Sequence, residues 1–172
     1  MARNVEIKAK VRDLGSLIEK ATGLSSSESV FLEQEDVFYQ ISTGRLKLRS
    51  EKGLDSTLIF YDRPDVEGPK LSNYEKCPIS ESEVPGIKRV LAKALGERGV
   101  VRKKRQLIMV GQTRVHVDSV EGLGDFMELE VMLEEHQSPE EGQEIAESLM
   151  EKLGIHKEDL LSGAYFDMLP NK

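Results

Sequence analysis

The stretch Arg45-Leu46-Lys47-Leu48-Arg49 alternates base and leucine without a break. Side chains alternate faces along a strand, so the three bases share one face, with successive ones roughly 7 Å apart. Like charges at that spacing repel unless water or an anion lies against them. The same pattern recurs along the chain. Around residues 4–11, Val5, Ile7, Ala9 and Val11 share one face and Asn4, Glu6, Lys8 and Lys10 the other. Around 113–120, Arg114, His116 and Asp118 alternate with Val115 and Val117, and around 126–134, Glu128 and Glu130 alternate with Met127, Leu129, Val131 and Leu133. Strands with one apolar and one charged face belong to an antiparallel sheet that is covered on one side only.

Turn chemistry connects these strands. Ser42-Thr43-Gly44, Glu51-Lys52-Gly53 and Gly122-Leu123-Gly124 are short enough for a meander. Strands are expected at about 3–12, 29–40, 45–49, 56–61, 71–79, 98–110, 113–120 and 126–134, and a loop rich in Pro, Gly and Asp at 64–70. Asp13 predicts the cap of a helix over 14–22, ended by Thr22-Gly23. Ser82 or a neighbour predicts the cap of a second helix over 83–95, with Ile87, Val90, Leu91, Ala94 and Leu95 at helical spacing and Gly96 as its stop. Pro139 opens a third helix to about 153, with Ile145, Leu149 and Leu153 on one face, and a last short helix is expected from His156 to Leu161. About eight alternating strands and three or four helices make an antiparallel α+β fold.

The whole chain narrows the function classes. At 172 residues it suits one domain, 1–172, with a substantial core. Its net charge of −7 argues against nucleic acid or an anionic membrane as partner. The one cysteine, Cys77, rules out an internal disulfide and a zinc site built on several thiolates, and fits a reducing compartment. No apolar run reaches the roughly 18 residues a membrane span needs, and the first residues lack the apolar core of a secretion signal. A cytoplasmic protein is expected.

Single residues outside the pattern carry less. His116 shares a face with Arg114 and Asp118, although a lone strand histidine is more often structural. Phe38 and Tyr39 read as core or rim. The run Arg102-Lys103-Lys104-Arg105 resembles a nucleic-acid patch, yet within a strand only two of its four bases share a face. The acidic helix face Glu140, Glu141, Glu144, Glu147 and Glu151 reads as solvated.

Taken together, the polar faces carry bases at Lys8, Lys10, Arg45, Lys47, Arg49, Arg63, Lys76, Lys103, Arg105 and Arg114, and acids at Glu6, Asp118, Glu128 and Glu130. An oligophosphate would satisfy the bases, and a divalent cation the carboxylates. A sheet curled so that these faces look inward would form a charged channel, costly when empty and stabilised by its ligand.

These residues also carry a family resemblance over nearly the whole chain. The opening Asn4-x-Glu6-x-Lys8 resembles the ExExK signature of the CYTH superfamily, the triphosphate tunnel metalloenzymes. Arg45-x-Lys47-x-Arg49 resembles its basic strand, Leu58 to Arg63 the strand after it, and Lys103-x-Arg105 its K-x-R strand. Arg114 and Asp118, then Glu128-x-Glu130, resemble its R-x-x-x-D and E-x-E elements. Ser162 to Asp167 resembles a late S-Y-x-D element with added residues. The resemblance implies an eight-stranded antiparallel β-barrel, open as a tunnel, with flanking helices. It implies phosphate contacts from Lys8, Lys47, Arg49, Arg63, Lys76, Lys103, Arg105 and Arg114. It implies metal ligands at Glu6, Glu128 and Glu130, with Asp118 near a second ion, and Mg²⁺ or Mn²⁺ as cofactor. Lys8, Glu6 and Glu130 are the expected catalytic residues, Lys8 as an acid if burial lowers its pKa.

One position departs from the signature: Asn4 stands where the first glutamate is expected and offers an oxygen without a charge. The expected activity is metal-dependent hydrolysis of a triphosphate such as tripolyphosphate, thiamine triphosphate or a nucleoside triphosphate. The alternatives are a class IV-like adenylyl cyclase and a triphosphate-binding module without turnover. The His-Phe pair that such cyclases tend to carry upstream of the signature has no counterpart before Asn4, which favours hydrolysis. The expected partner is a small molecule bearing a triphosphate, held by a monomer or homodimer.

Overall fold

The computed structural model describes residues 2–169. Eight strands follow the sequence periods closely: β1 (Ala2–Lys10), β2 (Val30–Tyr39), β3 (Arg45–Glu51), β4 (Ser56–Asp62), β5 (Lys70–Ile79), β6 (Glu97–Val110), β7 (Thr113–Val120) and β8 (Gly124–Met132). Their order is β5-β4-β3-β2-β6-β7-β8-β1, all antiparallel, and β1 pairs back onto β5 to close a barrel. An eight-stranded barrel leaves an interior that side chains fill or that holds one small ligand.

Closure is shared between two segments. Residues Ala2–Glu6 of β1 pair with β5, whereas Lys8 and Ala9 pair with a two-residue strand near the C-terminus, β9 (Leu160–Leu161). The segment after β9 then turns across that end of the barrel and into a short helix, α4 (Tyr165–Met168). The region expected as a last helix is instead one 3₁₀ turn (Lys157–Asp159) leading into β9.

Helices cover the outside in two places. Helix α1 (Leu14–Leu24) and helix α3 (Pro139–Leu153) bury Leu17, Ala21, Leu149, Met150 and Leu153 against Ile7, Ala9, Ile108, Val115, Met127 and Leu129. Helix α2 (Val84–Leu95) lays Val84, Ile87 and Leu91 against Val37, Tyr39, Leu48 and Ile79 on β2, β3 and β5. The main apolar faces therefore point out of the barrel and under helices, which leaves the charged faces inside, with Phe38, Ile59, Tyr61 and Val101 among them. Val90, expected on the packed face of α2, is exposed.

Local chemistry fixes the helix ends. Ser138 and Glu141 form a reciprocal capping box, and Gly154 ends α3 in the left-handed conformation. Asp13 caps α1 through Ser16 N, and α1 runs past Thr22-Gly23 to Leu24. The cap position of α2 is Glu83, not Ser82, and makes no side-chain cap; Pro85 in its first turn sets the start instead.

Candidate active site

Inside the barrel lies a cavity of about 100 Å³, enough for several ordered waters or for a phosphate chain in their place. All eight bases expected to contact phosphate line it: Lys8, Lys47, Arg49, Arg63, Lys76, Lys103, Arg105 and Arg114. Glu6, Glu128 and Glu130 line it as well. Strand register explains the convergence. Lys8 pairs with Glu128 and Glu6 with Glu130 across β1 and β8, and Glu128 and Glu130 face His116 and Arg114 across β7. In the basic run on β6, Lys103 and Arg105 are buried inside, while Arg102 and Lys104 are exposed outside.

The bases on the β2, β3 and β6 side gather around one carboxylate. Asp36, 1% exposed, accepts from Arg49 Nε and NH2, both at 2.8 Å. It also accepts from Lys103 Nζ at 3.0 Å, and Lys47 Nζ lies 3.6 Å from it. Burial alone would raise the Asp36 pKa, but Arg49, Lys103 and Lys47 outweigh it and hold the group well below the ordinary range. The lysines show the cost of the crowding. Burial, with Arg49 as the largest like charge, lowers Lys47 to about 7. Burial lowers Lys103 to about 8 despite Asp36.

A second carboxylate acts in the same way on the other side. Asp118 accepts from Arg105 Nε and NH2, both at 2.7 Å, and from the Tyr165 hydroxyl at 2.8 Å. It is 1% exposed and does not line the cavity. This residue, expected near a second ion, fixes the guanidinium of Arg105. Glu6, expected as a metal ligand, lines the cavity but accepts a hydrogen bond from Arg63.

Three other side chains stand closest to a metal centre. Ligand atoms of His116, Glu128 and Glu130 lie within 4.8 Å of one another. Glu128 is held ionised: burial opposes its charge, but Lys8 and Arg105 favour it more strongly and keep its pKa well below the ordinary range. His116 is 2% exposed. Burial, then Arg105, pushes its pKa well down, so its ring is neutral. Among the described residues, three buried polar atoms of the cavity lining have no hydrogen-bond partner: Asn4 Oδ1, Arg63 Nε and His116 Nδ1. Two carboxylates, a neutral imidazole and a free amide oxygen fit a divalent cation.

The C-terminal segment closes one end of the cavity. The Gly163 carbonyl accepts from Lys8 Nζ at 2.9 Å and Arg63 NH2 at 3.0 Å. Lys8 Nζ also sits 4.1 Å from the centre of the Tyr165 ring and 4.0 Å from Glu128. Burial lowers the Lys8 pKa, while Glu128 and Asp118 oppose the shift. Arg45 lies outside the cavity lining, in an ion pair with Asp65 and Asp167, and Lys10 is exposed.

Sequence reasoning passed over Asp36, met Tyr165 only through the late S-Y-x-D resemblance, and set His116 aside. The signal for Asp36 was in its register: Gln34, Asp36 and Phe38 share a face, and that face is the interior. Phe38, expected in core or rim, lines the cavity with Tyr61 and Tyr74. Tyr165 had no period to reveal it, because a non-repeating segment carries it inside.

Comparison with known proteins agrees with this geometry. A protein of Methanocaldococcus jannaschii, provisionally named adenylate cyclase, is 26% identical over 95% of this chain and 97% of its own length. The adenylate cyclase CyaB of Aeromonas hydrophila is 28% identical over 58% of this chain, which spans about half of that relative. Among solved structures, a conserved protein of Pyrococcus furiosus superposes with a TM-score of 0.76 at 27% identity, covering 96% of this chain and 99% of that one. A Hippeastrum protein of the adenylyl cyclase class, described as having a dominant triphosphatase activity, shares the fold. Its TM-score is 0.67 at 14% identity, over 98% and 94% of the two chains. The CYTH domain model matches residues 2–165, nearly every residue that builds the barrel and its charged interior, and the chain belongs to that family.

Proposed function

We propose that this protein is a metal-dependent hydrolase of triphosphate-bearing small molecules. The observation that carries the reading is the charge of the cavity wall. Eight lysines and arginines face four carboxylates, Glu6, Asp36, Glu128 and Glu130. Such an excess of positive charge, with Lys8, Lys103 and Arg105 buried, is stabilised by an anion. Burial and the neighbouring arginines lower Lys47 to about 7 and Lys103 to about 8. A triphosphate in the cavity would raise both again and be gripped along its length.

The chain's own residues divide the labour. Lys47, Arg49 and Lys103 form one cradle, with Arg49 and Lys103 held in place by Asp36. Arg105, fixed by Asp118, and Arg114 reach the phosphates from β6 and β7. Lys8 stands between cradle and carboxylates, with a lowered pKa that suits a proton donor to the departing phosphate. Glu128 and Glu130 would hold Mg²⁺ or Mn²⁺, with Asn4 and Glu6 in the same cavity wall. Bound there, the ion supplies Lewis-acid withdrawal of charge from the phosphoryl oxygens. Cradle and carboxylate side together hold the chain for in-line attack by water.

A second reading is cyclisation of ATP, with a ribose hydroxyl in place of water. The names of the two relatives favour it, and Phe38, Tyr61 and Tyr74 in the wall could stack on a base. One assay separates the readings. The protein is incubated with tripolyphosphate, thiamine triphosphate or ATP, with and without Mg²⁺ or Mn²⁺, and phosphate, pyrophosphate and cyclic AMP are resolved. Metal-dependent orthophosphate release is expected. Cyclic AMP and pyrophosphate as the main products would establish the cyclase instead. Tight triphosphate binding with no product would leave a binding module.

A further inference from the structure

The acidic side of the cavity has a feature that its carboxylates alone do not explain. His116 is buried on β7, faces Glu128 across the β7–β8 ladder, and has its Nε2 3.7 Å from Glu130 Oε1. Its Nδ1 has no hydrogen-bond partner. A buried histidine kept for structure normally spends both ring nitrogens, one as donor and one as acceptor. This one spends neither at hydrogen-bond distance on a protein group, and its ring lies in the cavity wall beside two carboxylates.

The other carboxylates each accept from a neighbouring side chain: Glu6 from Arg63, Asp118 from Arg105 and Tyr165, Asp36 from Arg49 and Lys103. Asn4 adds an oxygen but no charge. Beside Glu128 and Glu130 the cavity wall thus offers a cation an amide oxygen and an imidazole nitrogen. Mg²⁺ takes oxygen donors and keeps its waters, whereas an imidazole nitrogen suits first-row transition metals, among which Mn²⁺ is the weakest binder and the one that also accepts carboxylates most readily.

We propose that His116 is a nitrogen ligand of the metal held by Glu128 and Glu130, and that it tilts this site toward Mn²⁺-type ions over Mg²⁺. The inference rests on the metal-dependent reading above, but it concerns binding of the ion alone. A failure of turnover and a failure of this assignment are therefore separate results.

The test uses metal-stripped protein without nucleotide or phosphate. Titration calorimetry with MnCl₂ and with MgCl₂ gives the two affinities, and electron spin-echo modulation of bound Mn²⁺ reports any directly coordinated ¹⁴N. The wild-type protein is expected to show ¹⁴N modulation. His116→Ala should lose it and bind Mn²⁺ at least roughly tenfold more weakly, the least that losing even an outer partner of a metal site costs. Mg²⁺ affinity should change much less, so the preference collapses. His116→Gln, which keeps a polar side chain of similar reach, should lose the nitrogen signal in the same way. No saturable Mn²⁺ binding, no ¹⁴N modulation in the wild type, modulation that survives in both variants, or equal losses for the two ions would each overturn the assignment. If neither variant folds, a wild-type spectrum without ¹⁴N modulation still overturns the assignment.

Discussion

Arg49 and Asp36 meet through two hydrogen bonds of 2.8 Å across the β2–β3 ladder, where the two residues are direct register partners. The pair looks structural, but Lys103 and Lys47 share the same carboxylate from β6 and β3. Asp36 is thus the anchor of the proposed phosphate cradle. Arg105 and Asp118 repeat the device from β6 and β7.

Removing the anchor leaves buried cations without compensation. Asp36→Asn is expected to cost about 3–5 kcal/mol of folding stability, read from denaturant midpoints at constant m-value. Acid should do the same reversibly. The Asp36 and Glu128 pKa values are depressed on folding from ordinary values of 3.8 and 4.5. Their contribution is complete above those values and is lost as pH falls below them. A midpoint for Asp36→Asn within error of wild type would disprove the anchor.

Lys47 sets a pH dependence of binding. With a pKa lowered to about 7, it is charged below neutrality and uncharged above it in the empty cavity. Affinity for tripolyphosphate should therefore weaken as pH rises through about 7 to 8, and binding should take up protons. In Lys47→Arg, which stays charged, this part of the dependence should flatten. The ligand's own titration is common to both proteins, so the difference isolates the lysine. Folding moves the other way: the unfolded chain holds this proton up to about 10.5, so the lysine makes stability rise with pH between the two values.

Lys8 tests the chemical step. Lys8→Met should lower kcat by roughly 10²–10⁴, the usual worth of a general acid, with a smaller change in KM. An unchanged kcat with a raised KM would make Lys8 a binding residue only.

The carboxylate side should be as demanding. Glu130→Ala is expected to lower metal-dependent phosphate release at least about a hundredfold. Glu140→Ala, on an exposed turn of α3, should leave it unchanged. Equal rates for both variants would remove Glu130 from the machinery.

The packing of α3 has its own test. A Cβ at Gly142 would lie 2.6 Å from Leu133 Cδ2 and 2.7 Å from Val5 Cγ2. Overpacking of this kind costs about 1–3 kcal/mol, against a gain of up to about 1 kcal/mol in helix propensity. Gly142→Ala should be destabilising by about 1–2 kcal/mol in thermal or denaturant unfolding. A stabilised variant would mean that α3 does not sit this close to β1.

Much of the molecule was legible because strand period and turn chemistry are local. Alternation marked β1, β3, β7 and β8, and the same alternation separated Lys103 and Arg105 from Arg102 and Lys104. It could not say which face turned inward. That was decided by α1, α2 and α3 covering the apolar faces and by β1 closing onto β5. The ion pairs were hidden for a related reason. Asp36 and Arg49 are 13 residues apart and Arg63 and Glu6 57 apart, so only register and closure bring them together.

The sequence by itself determined the strands, their charged faces and the kinds of ligand those charges call for, because each depends on neighbours two to four positions away. The tertiary structure alone decided which charges are spent on one another. It gave Asp118 to Arg105, gave Glu6 to Arg63, laid Gly163 against Lys8, and left His116 beside Glu128 and Glu130. Buried charges in a low-dielectric interior pair with whatever lies within a few ångströms, and barrel closure sets those distances.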